Sequence, residues 1–75
     1  MADILTHTVA SGVRAEMARL GVTQQDLAAR IGMSQQALSR RLRSEFPFNT
    51  AELNLAAEAL GVSVDRFLTT SESAA

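Results

Sequence analysis

A glycine turn between two capped amphipathic stretches, residues 23–42, constrains this chain more than any other feature. Thr23 precedes an apolar-periodic run and Asp26 follows three residues later, a capping-box-like start for a helix. Leu27, Ala28 and Ile31 give that helix a side to bury. Gly32 closes it, Met33 spans the turn, and Ser34 caps the next helix, expected over residues 35–43. A small residue at 28 and a glycine at 32 are what two steeply crossing helices with a short turn require. Bulk at the first would push the helices apart, and a Cβ at the second would disfavour left-handed backbone.

The remainder reads as the scaffold for this pair. A first helix over residues 4–20 carries Leu5, Val9, Val13, Met17 and Leu20 at three- and four-residue spacing, with Gly12 weakening it and Gly21 ending it. Pro47 marks a loop, from which Phe46 and Phe48 are expected to fold back onto the core. Asn49 and Glu52 form a second capping-box pair for a helix over 50–60, buried through Leu53, Ala56, Ala57 and Leu60 and stopped by Gly61. Ser63 caps a short fifth helix over 64–68. The expected fold is all-α, a five-helix bundle forming one domain over residues 1–70, followed by a flexible tail, 71–75.

Several function classes are disfavoured by what the chain lacks. It has no cysteine and a single histidine, His7, with no ligand cluster around it, so no metal or cofactor is expected. No nucleophile–base pair, carboxylate dyad or phosphate-cradling loop suggests an enzyme or a small-molecule substrate. No segment has the length and apolarity of a membrane span, and no signal-peptide pattern opens the chain; a cytoplasmic protein is the default expectation.

The positive signal lies on the third helix. On a wheel of about 100° per residue from Gln35, Ser39, Arg43, Gln36 and Arg40 follow at roughly 40°, 80°, 100° and 140°. Leu42 and Leu38 fall near 340° and 300°, on the opposite side. One face is thus apolar and the other is made of hydrogen-bonding groups. Glutamine can pair with adenine N6 and N7, and arginine with guanine O6 and N7. Gln35, Gln36, Ser39 and Arg40 are therefore the candidate base-reading residues. Thr23, Gln24 and Ser34 are candidate phosphate contacts, at the helix starts. Arg41, near 240°, is awkward: either its stem covers the core edge while the head reaches solvent or phosphate, or the third helix ends elsewhere than residue 43. Phosphate is the preferred reading.

Net charge is −1, which taken alone argues against a nucleic-acid partner. Distribution matters more, because residues 30–44 hold Arg30, Arg40, Arg41 and Arg43 and no acid. All seven cations are arginine, a choice that suits phosphate and guanine but can equally reflect the host genome's base composition.

These residues resemble the Cro/CI-type helix-turn-helix family of phage and bacterial repressors. The resemblance rests on Gly-Val-Thr-Gln-Gln-Asp-Leu-Ala (21–28), Ile-Gly-Met-Ser-Gln-Gln-Ala-Leu-Ser (31–39) and Ala-Leu-Gly-Val-Ser-Val-Asp (59–65). It implies a five-helix bundle that binds a palindromic operator as a symmetric dimer. It further implies phosphate contact by Gln24, base reading by Gln35, Gln36 and Arg40, and backbone contact by Arg43 and Ser44. Two positions depart from the family pattern. Met17 and Leu42 stand where many members bury an Arg–Glu pair, and Arg41 stands where members commonly have an apolar residue.

The expectation is a DNA-binding transcriptional regulator, a Cro-like or repressor-type protein of a phage or mobile element. Double-stranded DNA is the partner, with a homodimer formed through Val64, Phe67 and Leu68 unless Phe67 belongs to the core. An antitoxin that binds both operator and toxin is one rival, and a protein-interaction adaptor is another.

Overall fold

Side-chain caps and tight reversals set the limits of the helices. In the computed structural model, which describes residues 4–68, the chain forms α1 (Ile4–Leu20), α2 (Gln24–Ile31), α3 (Gln35–Leu42), α4 (Thr50–Leu60) and α5 (Asp65–Leu68). No strand occurs among the described residues. The Thr23 hydroxyl accepts from the Asp26 amide at 3.1 Å, and the Ser34 hydroxyl accepts from the Ala37 amide at 3.1 Å. Asn49 and Glu52 form the full reciprocal box: the Glu52 amide donates to Asn49 Oδ1 at 2.7 Å, and the Asn49 amide to Glu52 Oε1 at 3.0 Å. Each cap satisfies an amide that the helix itself cannot, worth ~0.5–2 kcal/mol.

The helices end by a common device. At the close of α2 the Met33 amide donates to the Ala28 carbonyl at 2.9 Å, across Gly32 at φ 70°. The same reversal follows α1 and α4 at Gly21 and Gly61. α3 ends this way too, but without glycine. Ser44 takes φ 66°, its amide donates to the Arg41 carbonyl at 3.1 Å, and the Glu45 amide donates to the Arg40 carbonyl at 2.9 Å. α3 therefore stops at Leu42, one residue short of the expected 35–43.

Val9, Val13 and Met17 of α1 pack with Leu27, Ala28 and Ile31 of α2, Leu38 and Leu42 of α3, and Ala56, Ala57 and Leu60 of α4. Phe67 of α5, 0% exposed, completes the core, with Phe48 and Leu53 against its edge. Met17 and Leu42 are both buried, so an apolar pair fills this part of the core without the desolvation cost of ions.

Several expectations are corrected. Leu5 is 61% exposed and Leu20 40%, because the neighbouring helices cover only the middle of α1. Phe46 is 48% exposed and does not fold onto the core, unlike Phe48. Phe67 is a core residue and offers no side chain to a second copy. Gly12 does more than weaken α1: a Cβ there would lie 2.2 Å from the Phe67 carbonyl oxygen, so α5 rests directly on the glycine. The expected tail, 71–75, lies outside the described residues.

Candidate nucleic-acid interface

α3 presents the face that its wheel describes. Leu38 and Leu42 are buried, Ala37 and Ser39 are half-buried, and Gln35, Gln36, Arg40 and Arg43 are exposed. Ser34, Gln36, Ala37, Ser39, Arg40 and Arg43 line a shallow, open polar depression along the helix. The helix is fixed from three directions. Ser34 caps its start. Its last turn is held by Arg14 of α1, whose Nη1 donates to the Leu42 carbonyl. Its flank is tied to α4 by Arg41.

Arg41 resolves into an internal contact. Its Nε donates to Glu52 Oε1 at 3.0 Å and its Nη1 to the Ala37 carbonyl at 2.9 Å, with both side chains largely buried. Burial alone would push the Glu52 carboxyl up. The Arg41 hydrogen bond, the Asn49 amide and the Arg41 charge outweigh that and bring it below its ordinary value. One carboxylate thus caps α4 and anchors α3. This is the core-edge alternative for Arg41, with the head paired to an acid rather than directed to phosphate.

Arg30 is also engaged, its Nη1 donating to the Ala59 carbonyl near the end of α4 at 3.1 Å. Of the four arginines between residues 30 and 43, Arg40 and Arg43 are thus the two that flank the α3 face. They are not in acid-free surroundings. Glu45, just beyond the acid-free run, turns back over the last turn of α3. Its Oε2 accepts from Arg43 Nε at 2.8 Å, and its Oε1 lies 3.8 Å from Arg40 Nε. The Arg43 hydrogen bond is the largest influence on this carboxyl. It outweighs desolvation, which acts the other way, and together with the Arg43 and Arg40 charges holds Glu45 below the usual carboxylate range. Arg43 Nη1 also donates to the Ser39 hydroxyl at 3.2 Å, and the Arg40 guanidinium carbon lies 5.3 Å from the centre of the Phe46 ring.

Thr23 and Ser34 are exposed at the starts of α2 and α3, and Gln24 is half-buried at the first position of α2. Each capping hydroxyl uses an oxygen lone pair toward its helix, which leaves its proton able to donate elsewhere. Val64 is half-buried and Leu68 exposed.

A further charged residue, Glu16, was not singled out by sequence. It is 7% exposed on α1 and is paired with Arg19 at 2.7 Å and Arg66 of α5 at 3.4 Å. Its location among apolar positions of α1 was the available signal. No cluster of metal-ligating side chains occurs among the described residues, and no helix among them is long and apolar enough to cross a membrane.

Comparison with known proteins agrees with this architecture. The helix-turn-helix family profile matches residues 13–67. The solved structure of the clp gene regulator ClgR from Corynebacterium glutamicum is similar at 29% identity and TM-score 0.84, covering 96% of this chain and 91% of that one. A point mutant of the restriction-modification controller protein C.Esp1396I is similar at 26% identity and TM-score 0.80, covering 87% and 84%. A hypothetical transcription factor from Neisseria shares the fold at 23% identity and TM-score 0.83, covering 93% and 80%. A search of curated protein sequences finds no match.

Proposed function

This chain belongs to the Cro/CI-type helix-turn-helix family, and from that premise we propose that it is a sequence-specific DNA-binding transcriptional regulator, acting as a Cro-like repressor of a phage or mobile element. One observation carries the reading: Gln35, Gln36 and Arg40 stand exposed along one face of a helix that is capped and anchored on its other sides. α3 has eight residues, a length of about 12 Å, comparable to the width of the major groove. Gln35 and Gln36 enter first, each suited to an adenine edge, and Arg40 follows one turn later, suited to guanine. Ser39 lies between them on the same face.

The hydroxyls of Thr23 and Ser34, the amide of Gln24, the guanidinium of Arg43 and the segment at Ser44 serve the phosphates on the groove walls. Arg41 is left out of this set because Glu52 holds it. That ST-capped helix starts flank the groove suits this role, since backbone amides and the helix dipole favour an anion there.

A rod of this length covers roughly three or four base pairs at 3.4 Å each, too few to mark one site in a genome. A symmetric pair on a palindromic operator supplies the rest. The described residues extend 31 Å at their longest, and side-by-side copies of that size suit half-sites one helical turn, about 34 Å, apart. Leu68 of α5 and Val64 just before it are the candidate side chains left for such a contact. Repression then follows from occupying the operator and excluding polymerase.

Selection from random duplexes tests this. The expected result is a palindromic winner with a guanine preference that Arg40→Ala removes at a cost of ~1–3 kcal/mol. No enrichment, or an unaltered winner with Arg40→Ala, overturns the reading.

A further inference from the structure

Two residues on the proposed DNA face are of the wrong type for it. Glu45 brings a negative charge toward phosphates, and Phe46 exposes an aromatic ring beside the polar depression. Both sit where they do because of the backbone. The left-handed turn at Ser44 sends the chain back over α3, and the Glu45 amide is tied to the carbonyl of Arg40 itself at 2.9 Å. From there the two carboxylate oxygens divide between the two arginines, at 2.8 Å from Arg43 Nε and 3.8 Å from Arg40 Nε. The Phe46 ring lies 5.3 Å from the guanidinium carbon of Arg40, within the range at which a cation is drawn to a ring face.

Arg40 therefore has neighbours on two sides: the Phe46 ring lies under its guanidinium carbon, and the Glu45 carboxylate stands at ion-pair distance, 3.8 Å, from its Nε. The edge left over carries the two terminal nitrogens, which can approach guanine O6 and N7. A long side chain already confined to that pose loses less freedom on binding. The carboxylate also makes every approach to phosphate less favourable, so that binding depends more on the correct base.

We infer that Glu45 and Phe46 are positioning residues that determine specificity, aiming Arg40 at guanine while lowering affinity for DNA in general; this rests on the DNA-reading function proposed above. Ionisation of Glu45 at neutral pH, favoured by both arginines, is consistent with that role.

The experiment compares the full chain with Glu45→Gln, Phe46→Leu and Arg40→Ala, by selection from random duplexes and by titration of the selected and a scrambled duplex. All three altered residues are exposed, so thermal melts should show retained folds. Glu45→Gln should bind the scrambled duplex about threefold or more tighter, having lost one repulsive charge per chain. It should also lose roughly fivefold or more of the guanine preference, at the same position that Arg40→Ala erases. Phe46→Leu should relax that position without tightening the scrambled duplex. Unchanged preference there in both variants overturns the inference, as does a loss spread evenly over all positions. If the unaltered chain selects no sequence, the DNA-reading function itself falls first and takes this inference with it.

Discussion

Replacing Gly12 by alanine has opposite expected signs depending on whether α1 is viewed alone or packed. Within an isolated helix interior the change stabilises by ~1 kcal/mol. Here the new Cβ would lie 2.2 Å from the Phe67 carbonyl oxygen and 2.6 Å from its carbonyl carbon and Cα. An ordinary carbon–oxygen contact needs about 3.3 Å, so α5 must retreat by roughly 1 Å. The obstruction is backbone, and no rotamer change relieves it. Lifting α5 exposes part of Phe67, whose full burial contributes ~1.5–3 kcal/mol, and overpacking of this kind costs ~1–3 kcal/mol. Set against the propensity gain, the net loss is roughly 1–3 kcal/mol, lowering the melting temperature by about 5–15 °C. Thermal and urea unfolding followed by circular dichroism reads this directly. An unchanged or raised midpoint would refute the close contact between α1 and α5. Adding Phe67→Leu should not rescue the variant, because the clashing atoms belong to the Phe67 main chain.

Ser44→Gly should raise stability by about 0.5–1 kcal/mol, since glycine adopts φ 66° without the penalty that a Cβ carries; a lower urea midpoint would contradict the helix ending assigned to α3. The carboxyl of Glu16 is lowered chiefly by the Arg19 hydrogen bond, opposed by burial and aided by the Arg19 and Arg66 charges. A depressed folded pKa means that the unfolded chain binds more protons in acid. The contribution is complete above the ordinary value of 4.5 and disappears as pH falls through the lowered one. Melting temperature should therefore fall on acidification, and Glu16→Gln should fall less steeply; equal slopes would show that the pair is energetically idle. If Arg43 meets phosphate and Arg40 a base edge, as proposed, the salt dependence of DNA binding should be shallow, with a logarithmic slope between about −1 and −2 per chain at about −0.9 for each neutralised phosphate. A slope of about −4 or steeper per chain would mean that roughly four or more cations reach phosphate.

Much of this architecture was legible because its signals are local. A hydroxyl or amide before an apolar period, with an acid three residues on, is sufficient to start a helix at Thr23 or Asn49 whatever surrounds it. Glycine likewise announces three of the helix ends. The fourth, at Ser44, had no such announcement, and one consequence was hidden with it: the return of Glu45 to Arg40. The wheel places Arg41 at an angle but cannot supply its partner, because Glu52 lies on another helix and is already a cap residue. Leu5 and Leu20 fit the stripe of α1 by angle, yet burial also depends on how far neighbours extend along the axis. Phe46 and Phe48 differ by two positions in one loop, and only the loop's path decides which ring reaches the core. Gly12 and Glu16 look like a blemish and a surface charge until α5 is laid across them. The base-reading candidates themselves were readable from spacing alone, since Gln35, Gln36 and Arg40 share an outward face of a single short helix.

The most direct measurement is a titration of the isotopically labelled chain with its selected duplex, following backbone and arginine side-chain resonances. The largest changes are predicted at Gln35, Gln36, Ser39 and Arg40, with smaller ones at Thr23, Gln24 and Arg43 and little at Arg41. Changes centred instead on the apolar groove between Leu5, Phe48 and Leu53, with α3 silent, would contradict the account.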